Sequence, residues 1–406
     1  MATIEGDETN NSLWGTDEAD LMYGLGGNDK LRGGGGADTM FGGTGNDRYW
    51  VGSFSAGAGF DIVQESAGEG NDTVFASVSY VLPEHVERLT LLGTDDLDGT
   101  GNGADNRLVG NGGQNALYGL GGNDLLDAGK ADGLSDLLQG GTGNDRYVVR
   151  DAFDFVSEAA GGGRDTVVVL GPYYSNSEHV ERVFVRGPEE SQVLGWSHGE
   201  RIVVQGSAAT DILGGGGNDL IRGGDGDDIL RGDFATPFGP DPVYGVPGND
   251  RLFSGDGSDV LIGGLGDDRL FAEAGDSLLI GGHVEFLSQP LPSDEHFSAG
   301  ADRYVIKPSG ETATVEATIA DFSLDDGDWI DLRAVDADPS TPEDDAFVFR
   351  GLDGPTGEGG EIWLEDTGQG YRIVGTLADG ADAGFSIFLD TQGLDVSQLT
   401  EAHFAL

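Results

Sequence analysis

Carboxylates recur every nine residues near the start of this chain. Asp20, Asp29, Asp38 and Asp47 keep that interval, and Gly15, Gly24, Gly33 and Gly42 keep it with them. Over residues 24–50 the units read GLGGNDKLR, GGGGADTMF and GGTGNDRYW, the form G-G-x-G-x-D-x-U-x with U large and apolar. GTDEADLMY at 15–23 is a looser unit in the same phase. Glycines at the first and fourth positions, such as Gly24 with Gly27 and Gly42 with Gly45, allow the positive φ and close backbone approach of a tight turn. The D-x-U-x that follows reads as a short strand with U facing inward. Two units make one full coil, so alternate units stack at the strand spacing of about 4.8 Å. Asp20 then stacks on Asp38, Asp29 on Asp47 and, farther along, Asp250 on Asp268. Carboxylates about 5 Å apart repel by roughly 3 kcal/mol at an effective dielectric near 20. A hard divalent cation between coils reverses that sign. Aspartate oxygens and glycine carbonyls supply the roughly six to eight oxygen ligands that calcium prefers, whereas magnesium keeps its waters and zinc favours His or Cys.

The same pattern returns twice. Residues 101–149 hold GNGADNRLV and GNGGQNALY, with Asn106 and Asn115 at the aspartate position. Then follow GLGGNDLLD with Asp124, a twelve-residue variant with Asp136, and GGTGNDRYVV with Gly140, Gly143 and Asp145. The block from about 196 to 305 carries Asp211; Gly214, Gly217 and Asp219; Gly223, Gly226 and Asp228; Gly245, Gly248 and Asp250; Asp259; Gly263, Gly266 and Asp268; and finally Asp302, with Ser277 at one lapsed position. These aspartates and glycines are the candidate metal-holding residues, and weaker or absent sites are expected at Asn106, Asn115 and Ser277. A flexible glycine-rich spacer would not place Leu31, Leu126, Ile221, Leu230, Leu252, Leu261 and Leu270 two residues after an aspartate each time. All three blocks end on DRY followed by apolar strand residues.

On these units the chain resembles the RTX (hemolysin-type calcium-binding nonapeptide repeat) family. The resemblance implies an all-β fold, a right-handed parallel β-roll or β-helix solenoid with several Ca²⁺ ions stacked in its turns. DIVQESAGEGNDTVFAS (61–77) and EHVERLTLLG (84–93), copied as DFVSEAAGGGRDTVVVL (154–170) and EHVERVFVRG (178–187), resemble connectors between repeat blocks. TIADFSLDDGDWIDL (318–332) resembles the segment that follows the last repeats, and the final residues resemble an uncleaved C-terminal signal for type I secretion. The implied partner is a type I secretion apparatus. The implied location is extracellular, where calcium is millimolar and modules of this kind bind at roughly 10⁻⁴–10⁻³ M.

Composition agrees with a chain that folds around cations. Against 21 Lys plus Arg stand 73 acidic residues, a net charge of −52, which repels rather than neutralises phosphate and sets nucleic acid aside as a partner. An apolar fraction of 37% argues against simple disorder. There is no cysteine, hence no disulfide or thiolate metal site. The opening MATIEGDETNNSLW lacks a basic and an apolar signal region, and no apolar run approaches the roughly 18 residues of a membrane span.

The elements that must position the aspartates divide as follows: an N-terminal tail over 1–13, a repeat block over 14–50, a β connector over 51–100, a second block over 101–149, its duplicated connector over 150–195, a third block over 196–305 with insertions at 233–244 and 283–299, and a β flank over 306–406. Within the first connector, alternation in TVFASVSYVL predicts one strand with Val74, Ala76, Val78, Tyr80 and Leu82 on one face. GWSHG at 195–199 matches a nucleophile elbow around Ser197, but no helical pattern surrounds it and chance explains it. His85 and His179 read as turn or edge residues of the repeated connector. T-G-N at 44–46 and 142–144 is too sparse for an array. With no H-E-x-x-H and no room for a catalytic module, the expectation is a secreted calcium-binding protein that is not an enzyme, with a structural, adhesive or matrix role. The alternative is a carbohydrate-binding or accessory module of an extracellular polysaccharide-modifying or hydrolytic enzyme, whose partner would be a cell-surface or matrix polysaccharide. The two insertions are where specific contacts are expected.

Overall fold

The computed structural model describes the chain except for residues 53–59, 176, 188, 197, 234, 237–242, 245–247, 283–300, 308–314, 336, 338–345, 378–381 and 391–395. Its residues divide into two compact units, Met1–Val183 and Phe184–Leu406. Short strands and three single-turn 3₁₀ segments make up the regular structure, with no α-helix among the described residues.

In the first unit the nonapeptide rhythm becomes stacked parallel strands. Lys30 pairs with Arg48 and Leu21 with Thr39, so one coil takes 18 residues and two repeats. The inward residues form a continuous apolar column. Leu31, Tyr49, Val74, Leu89, Leu108, Leu126, Tyr147 and Val167 are consecutive partners, all completely buried. Burying each such side chain stabilises the coil by about 1.5–3 kcal/mol. On the opposite wall, Met22, Met40 and Val63 align in the same way, as do Leu117, Leu138 and Val156.

The connectors are coils too. Thr73–Ala76 and Arg88–Leu91 continue the stack of the first block, with loops absorbing the changed spacing. The single strand expected over 73–82 is two. Thr73–Ala76 pairs with Arg48–Val51 on one wall, while Tyr80–Val81 pairs with Asp98–Thr100 on the other. Alternation survives the intervening bend, because a coil of the solenoid turns its corner there while the inward residues Val74, Ala76 and Leu82 stay buried.

The second unit repeats the plan. Ile202, Ile221, Leu252, Leu270, Tyr304, Ile330 and Phe404 are consecutive inward partners. An antiparallel meander of Glu361–Asp366, Tyr371–Thr376 and Asp382–Leu389 joins the other wall through Val315–Ile319, so the last parallel strand is paired and the sheet ends instead on the two-residue strand Val348–Phe349. Of the 233–244 insertion the structure describes only its base, where Ala235–Thr236 pairs antiparallel with Val243–Tyr244. The 283–299 insertion, Gly245 and Ser197 lie outside the described residues.

Candidate metal ladder

Each repeat aspartate turns inward at a corner, and its two oxygens do different work. Oδ1 accepts the backbone N–H of the equivalent residue one coil earlier: Asp20 donates to Asp38 at 2.7 Å, Asp29 to Asp47 at 2.7 Å and Asp250 to Asp268 at 2.8 Å. These are the three stackings that the nine-residue period implies. The ladder also links Asp124 to Asp145, Asp219 to Asp250, Asp228 to Asp259 and Asp268 to Asp302. Asn115 donates to Asp136 in the same manner.

Oδ2 is the orphan. In Asp29, Asp38, Asp47, Asp124, Asp145, Asp219, Asp250, Asp259 and Asp268 this oxygen is buried without a hydrogen-bond partner. A buried charged oxygen without compensation is costly, and burial accordingly raises the carboxyls: Asp38 and Asp47 to about 6, Asp124 and Asp136 to about 7, Asp250 and Asp268 to about 8, Asp302 to about 9. At neutral pH the ladder therefore demands protons or a cation.

The glycines show where a cation fits. A Cβ on Gly24 would lie 2.3 Å from Asp29 Oδ2 and 2.5 Å from the Gly42 carbonyl oxygen. On Gly263 it would lie 2.3 Å from Asp268 Oδ2 and 2.5 Å from the Gly281 oxygen, and Gly33, Gly42, Gly140 and Gly214 crowd their own repeat's aspartate in the same way. The first-position glycine thus keeps open a cradle between a carboxylate and a carbonyl of the next coil. Positive φ belongs instead to the second and fourth positions, as at Gly43 (+87°) and Gly45 (+133°), which corrects the expectation for the first. Among the other candidate glycines, Gly27, Gly143, Gly217 and Gly266 have positive φ at the fourth position. Gly223 faces Asp228, Gly226 packs on Ala208, and Gly248 donates its N–H to Asp233.

Some candidates stand apart. Asp20 is saturated, because Oδ1 takes the Ala2 amide and Oδ2 takes both the amide and the hydroxyl of Thr16. The Ala2 amide and the Thr16 hydroxyl hold its carboxyl below the usual range. Asp228 Oδ2 accepts the Gly224 N–H at 2.7 Å. Asp211 is not on the ladder. Its unit has eight residues rather than nine, so Thr210 occupies the ladder position and donates to Asp228 Oδ1, while Asp211 is half-buried beside Arg231. Asn106 and Asn115 keep the ladder's geometry without its charge. Each Oδ1 accepts a loop amide, from Asn102 and Asn111, and Asn115 Nδ2 donates to the Leu97 carbonyl at 2.8 Å. Asn102 and Asn111 likewise place their Nδ2 on paired carbonyls, of Pro83 and Val86 and of Leu92 and Asp95. An amide proton stands there where a cation would otherwise be needed. Ser277 pairs in register with Asp259.

The connectors contribute acids that the nonapeptide pattern does not reveal. Asp47 and Asp145 donate their N–H groups to Asp72 and Asp165, which donate to Glu87 and Glu181 of the two EHVE segments. Glu65 and Glu158 then complete two clusters, Asp47–Glu65–Asp72 and Asp145–Glu158–Asp165, in which one carboxylate oxygen of each residue lies within 4.8 Å of the others. Burial first, and then the charges of Asp72 and Asp165, push Glu65 to about 9 and Glu158 to about 8. The DRY tyrosines explain the shared block ending. Tyr49 donates to Glu65, Tyr147 accepts from Gly140 N–H, and Tyr304 donates to Asp321. The signal for these acids was the duplication itself, which holds Glu65 and Asp72 at the places of Glu158 and Asp165. His85 and His179 sit in turns with φ of +69° and +74°.

A donor set made only of buried carboxylate and carbonyl oxygens suits a hard divalent ion such as calcium rather than one that favours nitrogen or sulfur ligands. The family model for the RTX calcium-binding nonapeptide repeat (4 copies) matches residues 3–31, 14–49, 100–134, 131–146, 206–235 and 244–279. No curated protein matches the chain.

Proposed function

Starting from a chain that carries RTX calcium-binding nonapeptide repeats, we propose that it is a secreted, non-catalytic protein whose biochemistry is calcium-coupled folding, and that the folded solenoid has a structural or adhesive role outside the cell. The observation that carries this reading is the file of buried, unpartnered Oδ2 atoms along the ladder. Without ions, each coil added to the stack buries another uncompensated carboxylate. Ca²⁺ ions would supply the positive charge these oxygens lack: Asp29, Asp47, Asp124, Asp145, Asp250 and Asp268 would hold them through Oδ2 while their Oδ1 atoms keep the backbone in register. Binding energy is then folding energy. No described helix is long and apolar enough to cross a membrane.

Circular dichroism during a calcium titration, with chelator reversal and a magnesium control, tests this. The expected result is a β spectrum that appears in millimolar calcium and is lost on chelation. A β spectrum at full strength in chelator at pH 7 would overturn the proposal. The second reading, a carbohydrate-binding module, is favoured by one specific surface, the outward-facing cations of the first unit.

A further inference from the structure

One wall of the first unit carries a column of cations. The residue after each ladder position on this wall points outward, and from Lys30 to Arg146 it is Lys30, Arg48, Thr73, Arg88, Arg107, Leu125 and Arg146 in turn, with Ser12 before and Thr166 after. All five cations are exposed. The ion pairs among described residues of that unit join the Met1 amino group to Glu18, Arg150 to Asp127 and His179 to Glu178, and include none of them. Lys30 lies directly beside Arg48, and Arg88 beside Arg107. Like charges facing each other on neighbouring strands destabilise a sheet. A chain with 21 cations and 73 acids could pair every one of them, so a file of unpaired like charges is an arrangement that folding alone does not favour.

An asparagine column runs alongside. Asn28, Asn46 and Asn71 donate their backbone N–H groups to Asn10, Asn28 and Asn46 Oδ1 at 2.7, 2.7 and 2.8 Å, which leaves the side-chain NH₂ groups as surface donors. The two columns line an open groove of about 380 Å³ that includes Lys30, Arg48, Arg88, Asn28, Asn46 and Asn71, with the ladder carboxylates Asp29 and Asp47, which calcium would neutralise, also in its lining. The second unit has its own groove of about 400 Å³, with Asn249, Arg251, Arg269 and Arg303 in its lining. Arg32, held between Trp14 and Trp50 at 4.7 and 3.8 Å from their ring centroids, adds an aromatic surface to the first wall, with Trp14 66% exposed.

We propose that this column binds a linear acidic polysaccharide of the polyuronate type. The inference deepens the second reading above and rests on the calcium-loaded fold. Six strand steps separate Lys30 from Arg146, about 29 Å at the usual spacing of about 4.8 Å, so the site is straight and periodic. A pyranose ring is close to one strand spacing in length, so carboxylates along the sugar chain meet the adjacent cation pairs Lys30 with Arg48 and Arg88 with Arg107, and sugar hydroxyls accept from the asparagine donors. An extended nucleic-acid strand has a longer repeat and falls out of register. Net charge alone repels any polyanion, so binding rests on the local cation column and on calcium neutralising the neighbouring ladder carboxylates in the loaded fold, with the more distant exposed charges screened beyond about 8 Å at physiological salt.

The test uses the full chain in millimolar free calcium and fluorescence anisotropy of labelled short oligogalacturonates. The combined variant Arg48→Ala, Arg88→Ala, Arg107→Ala is expected to weaken binding about tenfold, taking an exposed charge pair at roughly 0.5 kcal/mol each. Its calcium midpoint by circular dichroism should match the parent, and neutral dextran oligomers should not compete. Parent protein that folds in calcium yet does not bind, a triple variant that binds equally well, or tighter binding of oligothymidylate would each overturn the proposal. Failure to fold in calcium would instead strike the underlying calcium reading.

Discussion

Replacing Asp268 by asparagine and by alanine separates the two oxygens of the ladder. Asp268 is buried, its Oδ1 accepts the Asp250 amide at 2.8 Å and its Oδ2 has no partner. Asparagine keeps the acceptor and removes the charge. Alanine removes both and leaves the Asp250 N–H buried and unsatisfied, a loss of about 1–3 kcal/mol whether or not calcium is present. The charge acts in the opposite sense in the two conditions. With its carboxyl raised from 3.8 to about 8, the ion-free fold at pH 7 works against roughly three pH units of proton affinity, on the order of 4 kcal/mol at this one position. In chelator, Asp268→Asn should therefore be more stable than the parent, and Asp268→Ala should lose much of that gain. In millimolar calcium the parent should be the most stable, then asparagine, then alanine. Urea midpoints from circular dichroism in both buffers give the order. Equal behaviour of asparagine and alanine would refute the division of labour between the oxygens. Asparagine no better than the parent in chelator would refute buried charge as the obstacle to folding without calcium.

Gly263→Ala should raise the calcium midpoint by tenfold or more, since its methyl group would occupy the cradle 2.3 Å from Asp268 Oδ2; an unchanged calcium titration would refute that cradle. Acid should replace calcium in part. Raised carboxyls keep their protons in the folded state, so their stabilising effect is complete below about 4 and is lost as pH climbs through about 8 at Asp250 and Asp268 and about 9 at Asp302. Calcium-free protein should thus gain β signal between pH 8 and pH 5, measured by circular dichroism in calcium-stripped buffer. Glu65→Gln and Glu158→Gln together should lower the calcium bound at saturation, measured by equilibrium dialysis, while raising the urea midpoint in chelator.

The spacing of Asp20, Asp29, Asp38 and Asp47 was enough to read the coil length and the stacking partners, because a strict period leaves few ways to stack apolar residues such as Leu31 and Tyr49. Phase was harder to read than period. Asp211 carries the right side chain one residue out of register because its unit is one residue short, and the pairing of Thr210 with Asp228 shows which residue takes the ladder position. Glu65, Asp72 and Glu87 were hidden for a different reason: their coils differ in length, so a fixed interval cannot reach them, although the copied connector marks the same places. The role of the first-position glycine was also out of reach. Close approach was legible, but what it accommodates depends on an oxygen from the next coil.

The asparagine coils around residues 83–115 bear on how the first unit assembles. In a stack where each coil touches only its neighbours, stability is a sum of coil terms and interface terms, and growth can begin at any coil that is cheap to form. Coils whose carbonyls are met by Asn102, Asn111 and Asn115 wait for no ion. They are a ready nucleus in the middle of the array. Calcium ions binding beside them would then extend an existing stack rather than found a new one.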